Sequence, residues 1–359
     1  MPNPLEEILK QKIRKDGPVD IATFMTLALT HPEHGYYIKR DPLGQGGDFT
    51  TAPEISQMFG ELIGAWLADM WFKFDTPKSI SLIECGPGRG TLMSDILRAT
   101  RHIGGFHDAL QVHMVEAGTI LREKQKQILK DYTFISWQES LETIDPGQGQ
   151  TLIVCNEFLD ALPIRQLSQR QGEWLERKIG LDHNNALTFV FETAEKDLLE
   201  YLPTITSANS VYEISPASID FVKTCSAKLK ENGGAALFID YGYEKRASGD
   251  TLQAVQAHKY ADILKDIGNN DLTAHVDFEA IIQAADDAGA KTFGIVPQGE
   301  FLKRLGIIER AEKLQNSPKA DKAALRSQLH RLTAPQEMGT LFKVTGFGYD
   351  DKNIKPAGF

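Results

Sequence analysis

The segment ECGPGRG, residues 84–90, decides the fold class, because it joins an apolar run to a helical pattern. The run 81–85 has the length of a buried strand, and residues 91–100 show helical spacing. Glycines at such a junction let the backbone turn tightly and approach a ligand closely. The segment therefore predicts a strand–turn–helix unit with a ligand site at the turn.

Short apolar runs and helical patterns alternate along most of the chain. The runs that predict strands cover residues 81–85, 110–116, 132–136, 151–157, 235–242, 291–298 and 341–348. Strands that alternate with helices indicate right-handed βαβ units and a mostly parallel sheet. We therefore expect an α/β protein with a Rossmann-like fold. In such a fold the first and fourth strands are neighbours, which would bring Cys85 close to Cys155.

Two regions depart from this alternation. Residues 4–31 predict two short helices, and a long loop at 31–53 precedes a helix at 54–74. Residues 164–191 alternate apolar and polar side chains around two turns, which is the pattern of antiparallel hairpins. We therefore expect an antiparallel β element inserted into the α/β core.

The length of 359 residues suits one large α/β domain with additions. The expected division is an N-terminal helical region with a lid loop at 1–75 and a core at 76–359. The core would carry the β insertion at about 164–200.

Composition excludes several classes of protein. The chain has 39 basic and 49 acidic residues and a formal net charge of −10, so no dominant basic field favours a nucleic-acid backbone. Its three cysteines cannot form a disulfide framework or a CxxC metal site. His31, His34 and His258 have no metal-ligand spacing with any cysteine, so no metal site is predicted.

No feature of the sequence predicts a membrane or export segment. The apolar runs, such as 235–239, are far shorter than the ~20 residues that cross a bilayer. The N-terminal stretch lacks an apolar signal core and carries Glu6, Glu7 and Asp16. We therefore expect no membrane association and a reducing bacterial cytoplasm.

The spacing of the glycines indicates which ligand the turn binds. Gly86, Gly88 and Gly90 form G-x-G-x-G, whereas a dinucleotide fingerprint needs its third glycine where Thr91 stands. Glu84 would repel a pyrophosphate but attract an ammonium group. These residues favour S-adenosyl-L-methionine, which has an ammonium group and a sulfonium but no phosphate. By itself, the glycine pattern also fits a tight strand–helix turn without a ligand.

Two residues on later strands fit the same ligand. Glu116 ends the second predicted strand, where a carboxylate accepts hydrogen bonds from ribose hydroxyls. Trp137 follows the third predicted strand, where it either stacks on adenine or packs in the core. Together with Glu84, Glu116 favours the cofactor interpretation over a bare turn.

Longer blocks of the sequence resemble one family. The blocks are GGDFTTAPEISQMFGE at 46–61, ECGPGRGTLMSDILR at 84–98, NEFLDALPI at 156–164, ALFIDYG at 236–242 and DLTAHVDF at 271–278. They are similar to the signature blocks of the MidA-type methyltransferases, and the resemblance covers nearly the whole chain. It implies a class I methyltransferase core that uses S-adenosyl-L-methionine. In the mitochondrial member, which assists complex I assembly, it implies symmetric dimethylation of an arginine on a complex I subunit.

The first of these blocks holds four candidate cofactor residues, Asp48, Thr50, Thr51 and Glu54. The resemblance implies that they belong to a lid that closes over the cofactor. The alternative is helix capping, because Thr50 or Thr51 precedes Pro53 at the start of a predicted helix. The two roles are compatible.

Candidate residues for binding the substrate that accepts the methyl group lie where later strands end. Asn156, Glu157 and Asp160 follow the fourth predicted strand, at the sheet edge where ligands bind. The carboxylates of Glu157 and Asp160 suit a guanidinium, which presents five donors in a rigid fork, and Asn156 is assigned to the cofactor. The alternative is that Asp160 only favours a helix start. Asp240 either binds substrate or structures a loop, and His275 either handles a proton or is structural.

Three functions remain open at this point. The first is methyl transfer to an exposed arginine of a protein partner, with a complex I subunit as the candidate. The second is a cofactor-binding assembly factor that uses the 164–191 element as its partner surface. The third is a nicotinamide-dependent oxidoreductase, against which Glu84 and Thr91 argue. The oligomeric state is open, a homodimer included.

Overall fold

The computed structural model describes residues 3–39, 50–204, 206–207, 209–350 and 354–359. The chain forms two compact units. Unit 1 comprises Met1–Phe49, Asp160–Asp220 and Lys245–Asp277, and unit 2 comprises Thr50–Leu159, Phe221–Glu244 and Phe278–Phe359. This division differs from the one expected near residue 75. Each unit combines three separate segments, whereas a boundary drawn along the sequence groups only residues that are neighbours in the chain.

The α-helices of the described residues range from one turn to 17 residues. They are α1 (Pro4–Asp16), α2 (Ile21–Thr30), α3 (Tyr36–Lys39), α4 (Ala52–Ile55), α5 (Gln57–Lys73), α6 (Thr91–Thr100), α7 (Phe106–Ala109), α8 (Thr119–Ile128), α9 (Pro216–Asn232), α10 (Phe278–Asp287), α11 (Gln298–Arg304), α12 (Ile307–Gln315), α13 (Lys322–Thr333) and α14 (Met338–Leu341). Short 3-10 helices cover Leu159–Ala161 and Lys196–Tyr201. None of these helices combines the length and the apolar character that a membrane span needs.

The strands of the same residues are mostly short. They are β1 (Val19–Asp20), β2 (Ile80–Cys85), β3 (Leu110–Val115), β4 (Ile135–Gln138), β5 (Gln150–Asn156), β6 (Arg165–Arg170), β7 (Glu173–Leu181), β8 (Leu187–Thr193), β9 (Val211–Ile214), β10 (Gly234–Tyr243), β11 (Gln253–Gln256), β12 (Lys259–Ala261), β13 (Asp271–Thr273), β14 (Val276–Asp277), β15 (Lys291–Pro297) and β16 (Phe342–Tyr349).

Unit 2 contains a mixed sheet with the strand order β15-β16-β10-β5-β2-β3-β4. Neighbouring strands from β10 to β4 are parallel, and β16 pairs antiparallel with both β10 and β15. Cys85 on β2 is the register partner of Cys155 on β5, so the predicted first and fourth strands are neighbours. Both thiols are buried and free. The prediction of an α/β, Rossmann-like fold is confirmed.

The centre of this sheet is shielded on both faces. All six residues of β2 are buried, which is typical of a parallel strand that helices cover on both sides. Helix α6 presents Leu92, Met93, Ile96 and Leu97 as a buried stripe at helical spacing, and it packs against α5. The carboxyl end of β2, where the glycine loop (residues 86–90) begins, therefore emerges from a buried core.

Unit 1 is largely antiparallel. One sheet has the order β1-β7-β6-β9 with β8 paired to β7, and a second has the order β12-β11-β13. Gln171 and Gly172 join β6 to β7 with φ of 50° and 87°, and Asn185 lies between β7 and β8 with φ of 61°. Positive φ at such turns matches the twist of the flanking strands. The predicted antiparallel insertion is confirmed.

Three local predictions differ from the structure. The helix expected at 54–74 is interrupted at Ser56, whose backbone is extended and whose hydroxyl caps α5. Thr51 occupies the N-cap position of α4, but its side chain makes no capping hydrogen bond. The third strand of the core covers 135–138, so Trp137 lies within it. The preceding Tyr132 and Phe134 pack against each other and against the ring of His107.

A charge cluster around the buried carboxylate of Glu61 connects three helices of unit 2. Glu61 on α5 accepts hydrogen bonds from Arg98 on α6 at 2.9 Å and from Arg310 on α12 at 2.6 and 2.9 Å. Burial acts to raise the pKa of Glu61, but the hydrogen bonds from Arg310 and Arg98 outweigh burial and lower it. The folded state therefore stabilises the ionised carboxylate.

We expect Glu61→Gln to lower the free energy of unfolding by about 1.5–3 kcal/mol, the range for hydrogen bonds to charged groups. Because the folded-state pKa is lowered, this stabilisation is complete above the ordinary value of 4.5 and is lost as the pH falls through the folded-state pKa. Urea unfolding at neutral and acidic pH measures the effect. Glu300→Gln is the control, because Glu300 pairs with Arg304 at an exposed site. Equal effects of the two substitutions would contradict this role.

Candidate functional site

The glycine loop between β2 and α6 turns through left-handed backbone. Gly86, Gly88 and Gly90 have φ of +67°, +53° and +85°, which residues with a Cβ rarely adopt. A Cβ on Gly86 would also lie 2.7 Å from Cδ2 of Phe158. The backbone of this loop therefore requires glycine at all three positions.

Glu84 is a buried carboxyl at the end of β2. The residue is 2% exposed, and its Oε2 has no hydrogen-bond partner among the described residues. Burial raises the pKa of Glu84 to about 8, so the group is mainly protonated at neutral pH. A buried polar atom without a partner costs free energy. An ammonium group would supply both a donor and a compensating charge.

Glu116 is the residue after β3 and is 8% exposed. Its Oε1 accepts a hydrogen bond from the Gly118 amide at 2.6 Å, and its Oε2 accepts one from Gln125 at 3.2 Å. Burial raises the pKa of Glu116 to about 7, although these two bonds and the charge of Arg122 act in the opposite direction. A carboxylate has about four lone-pair sites, so positions remain for ribose hydroxyls.

Trp137 is half-buried in β4 and is held by α8. Its indole Nε1 donates a hydrogen bond to Oε1 of Gln125 at 3.0 Å, and the ammonium of Lys126 lies 6.0 Å from the ring centroid. Gln125 was not among the residues that the sequence indicated. The available signal was a polar residue one helical turn after Leu121 on the buried side of α8.

The segment before and within α4 approaches the glycine loop. Glu54 accepts a hydrogen bond from the hydroxyl of Thr91, the first residue of α6, and lies 3.8 Å from Arg89. Thr50 and Thr51 are half-buried just before α4. Glu54 is therefore beside the glycine loop. The fourth candidate of this block, Asp48, lies outside the described residues.

Glu157 follows β5 with an uncommon backbone conformation. Its φ is +52°, and non-glycine residues in this region often mark functional sites. Its Oε1 accepts hydrogen bonds from the Ala52 amide at 2.9 Å and from Asn156 Nδ2 at 3.2 Å. Oδ1 of Asn156 is buried and has no partner among the described residues. Glu157 therefore links the end of β5 to the start of α4. Oδ1 of Asn156 can accept a hydrogen bond from a ligand.

Asp240 holds the same turn from the neighbouring strand β10. Its Oδ2 accepts hydrogen bonds from the amides of Phe158 at 3.0 Å and Leu159 at 2.9 Å, and its Oδ1 accepts one from Tyr241 at 2.9 Å. Of the two roles that the sequence left open, this geometry favours structuring the loop. Asp240 fixes the backbone that carries Glu157.

Asp160 and His275 belong to unit 1. Asp160 is buried, and its carbonyl accepts a hydrogen bond from the Ala274 amide at 2.9 Å. The amide of His275 donates to the hydroxyl of Thr251 at 2.9 Å. The described candidate residues other than these two belong to unit 2.

The residues around the glycine loop fit S-adenosyl-L-methionine. Glu84 and Asn156 bring buried oxygens that lack partners among the described residues, and Glu116 keeps lone pairs for hydroxyl donors. This set suits a ligand that combines an ammonium group with a ribose. A pyrophosphate beside these two carboxyl groups would oppose their ionisation further, whereas an ammonium group favours it.

Comparison with known proteins also indicates that the chain uses S-adenosyl-L-methionine. A family of S-adenosyl-L-methionine-dependent methyltransferases matches residues 62–296. The chain is 33% identical to protein arginine methyltransferase NDUFAF7, mitochondrial, from Danio rerio over 93% of this chain and 84% of the relative. It is 35% identical to the Drosophila melanogaster homolog over 94% and 83%. A crystal structure from Burkholderia thailandensis with bound S-adenosyl-homocysteine is 27% identical, with a TM-score of 0.84 over 97% of this chain and 95% of that one.

Proposed function

The chain belongs to this family of S-adenosyl-L-methionine-dependent methyltransferases, and from that premise we propose that its methyl acceptor is a protein arginine. Its cofactor is S-adenosyl-L-methionine. Relatives that match nearly the whole chain are named protein arginine methyltransferases, and this supports arginine as the acceptor. The nicotinamide oxidoreductase considered from the sequence is not proposed, because the family is one of methyltransferases.

The position of Glu157 is the observation that carries the proposal. Cys85 and Cys155 are register partners on adjacent strands, so the residues after β5 lie level with the glycine loop, about one strand spacing (~4.8 Å) away. Glu157 is the first residue after β5. A carboxylate there can bind a guanidinium at the edge of the cofactor loop.

The reaction depends on alignment more than on acid–base power. When bound, the cofactor supplies a methyl group activated by its sulfonium: the guanidine nitrogen forms an N–C bond, the C–S bond breaks with its electron pair moving to sulfur, and the nitrogen releases its proton to water. Glu157 accepts hydrogen bonds from the guanidinium and orients one nitrogen. Because its negative charge lies beside the nitrogens that it binds, it holds the positive charge of the guanidinium there and away from the attacking nitrogen, and this effect is stronger where water is excluded.

The resemblance to the MidA-type methyltransferases extends the proposal to symmetric dimethylation. The partner would be a subunit of respiratory complex I, or a similar protein, with an exposed arginine. The relatives are mitochondrial by name, and for this chain we propose a bacterial cytoplasm. Mass spectrometry of lysates with and without the gene tests this extension. We expect one or a few proteins to lose symmetric dimethylarginine, and unchanged arginine methylation would contradict it.

A second candidate function is an assembly factor that binds the cofactor but transfers little methyl. The antiparallel sheet of unit 1 supports it, because β8 leaves its first five residues half-exposed. Two of its aromatic rings are covered by guanidinium groups, Arg170 over Phe191 at 3.6 Å and Arg177 over Phe189 at 3.7 Å. Such a surface suits a protein partner. Methyl transfer to a peptide distinguishes the two functions.

We expect Glu157→Gln to lower methyl transfer by about 100-fold or more, the scale for removing an electrostatic stabiliser from an active site. Cofactor affinity should change by less than about threefold, because a glutamine still accepts the hydrogen bond from Ala52. Titration with S-adenosyl-homocysteine and a radiolabelled methyl assay on the same samples measure both quantities.

Glu139→Gln is the matched control, because Glu139 is an exposed carboxylate just after β4. It should change neither quantity. If Glu157→Gln loses cofactor binding in proportion to methyl transfer, Glu157 belongs to the cofactor site, and its proposed role in binding the substrate guanidinium is wrong.

A further inference from the structure

Gln125 is a buried amide on a helix that is otherwise mostly exposed. The buried side chains of α8 are Leu121 and Gln125, one helical turn apart on the face turned to the core. Gln125 is 0% exposed, at a position where an amphipathic helix usually has an apolar residue. A buried amide costs free energy unless its donors and acceptor are satisfied. Its hydrogen bonds must therefore offset that cost.

The Gln125 amide binds three separate parts of the cofactor site. Nε2 donates to the carbonyl of Gly88 at 2.7 Å and to Oε2 of Glu116 at 3.2 Å. Oε1 accepts from the indole Nε1 of Trp137 at 3.0 Å. The first two partners are acceptors and an indole N–H is only a donor, so the orientation of the amide is fixed.

The glycine loop also packs closely against the aliphatic part of the Gln125 side chain. A Cβ on Gly90 would lie 3.3 Å from Cγ of Gln125, which is closer than ordinary contact. The glycine loop therefore rests directly against this side chain. A single residue of α8 contacts the loop after β2, the carboxylate after β3 and the indole of β4.

We propose that Gln125 is a positioning residue of the cofactor site: its amide holds the glycine loop, the carboxylate of Glu116 and the indole of Trp137 in one arrangement before the cofactor binds. It acts through these three groups. The proposal concerns the cofactor alone, so it does not depend on the arginine acceptor.

The charge of Glu116 gives this role an electrostatic consequence. Burial raises the pKa of Glu116, and the hydrogen bonds from Gly118 and Gln125 and the charge of Arg122 oppose that rise. The backbone carbonyl of Glu116 also accepts a hydrogen bond from Arg122. Without the Gln125 donor, the ionised form of Glu116 loses stabilisation and its pKa rises further.

The test compares two substitutions that change the amide in different ways. Gln125→Met removes all three hydrogen bonds at similar length. Gln125→Glu keeps the acceptor for Trp137 but places a carboxylate against Glu116 and the Gly88 carbonyl. Gln127→Met is the control, because Gln127 is exposed on the same helix. Titration with S-adenosyl-homocysteine across a pH series gives the dissociation constants, and thermal unfolding without ligand reports the fold.

We expect Gln125→Met to raise the dissociation constant about tenfold or more and to move its pH dependence to higher pH. Gln125→Glu should bind worst at high pH, because a protonated carboxyl recovers a donor at low pH. The control should match the original protein. A dissociation constant and pH profile unchanged in Gln125→Met overturn the proposal. A loss of affinity in Gln125→Met that is equal at every pH, together with a lower unfolding temperature, also overturns it. If Gln125→Met does not fold, a flat pH profile for Gln125→Glu overturns it.

Discussion

Replacing Gly88 with valine is expected to abolish binding of S-adenosyl-homocysteine while the protein still folds. Gly88 has φ of +53°, so a side chain strains this backbone by about 1–2 kcal/mol. Its carbonyl also accepts the hydrogen bond from Gln125, so a shift of the loop disturbs the groups attached to it. The two methyl groups of valine occupy space that a ligand needs for close approach. Isothermal titration calorimetry should show the dissociation constant rising at least about 100-fold.

Gly147→Val is the matched control for that experiment. Gly147 precedes β5 with φ of +68°, and a Cβ there meets nothing within 4 Å. The control therefore has a similar backbone strain away from the glycine loop. It should lose similar stability and keep full binding. Retained binding in Gly88→Val, or an equal loss of binding in both variants, would show that the glycine loop is not part of the cofactor site.

Glu84→Gln is expected to change stability and binding in opposite directions. The carboxyl of Glu84 is 2% exposed, and its Oε2 has no partner among the described residues. An amide of the same shape avoids burying a charge there. It should raise the stability of the protein without cofactor at pH 8 by about 2–4 kcal/mol. The same change removes the group that compensates the ammonium of the cofactor, so affinity should fall about 10- to 100-fold.

The pH dependence of stability follows from the raised pKa of Glu84, which burial moves from 4.5 to about 8. Between these values the folded protein holds a proton that the unfolded chain has lost, so stability falls as the pH rises through this window. Glu84→Gln should lack that fall. Thermal unfolding at several pH values, with and without S-adenosyl-homocysteine, measures both effects. A variant that is less stable at every pH would show that Glu84 is structural.

The core of the fold could be predicted because its signals are local. The segment 84–90 identified β2 and α6 together with their turn, and the apolar runs placed β3, β5, β10 and β16 within a few residues. The pairing of Cys85 with Cys155 followed from the strand order of such folds. Turn residues at Gln171 and Asn185 likewise indicated the antiparallel element of unit 1.

Other features depend on contacts between distant segments. Unit 1 unites the N-terminal helices with residues 160–220 and 245–277, and no local pattern states which segments pack together. In the sequence, Gln125 looks like an ordinary polar residue on a helix surface. Only its burial and its hydrogen bonds to Gly88 and Trp137 indicate a role. Asp240 was ambiguous in sequence because its partners are backbone amides of another strand end.

The central claim is that this chain transfers a methyl group from S-adenosyl-L-methionine to a protein arginine. The most direct measurement incubates the purified protein with cofactor that carries a deuterated methyl group and with a protein extract from cells that lack the gene. Tandem mass spectrometry then locates the deuterated methyl groups on peptides. We predict that they lie on arginine side chains of one or a few proteins and are nearly absent with Glu157→Gln. Deuterated methyl groups on lysine or other side chains alone, or none at all although S-adenosyl-homocysteine binds, would contradict the claim.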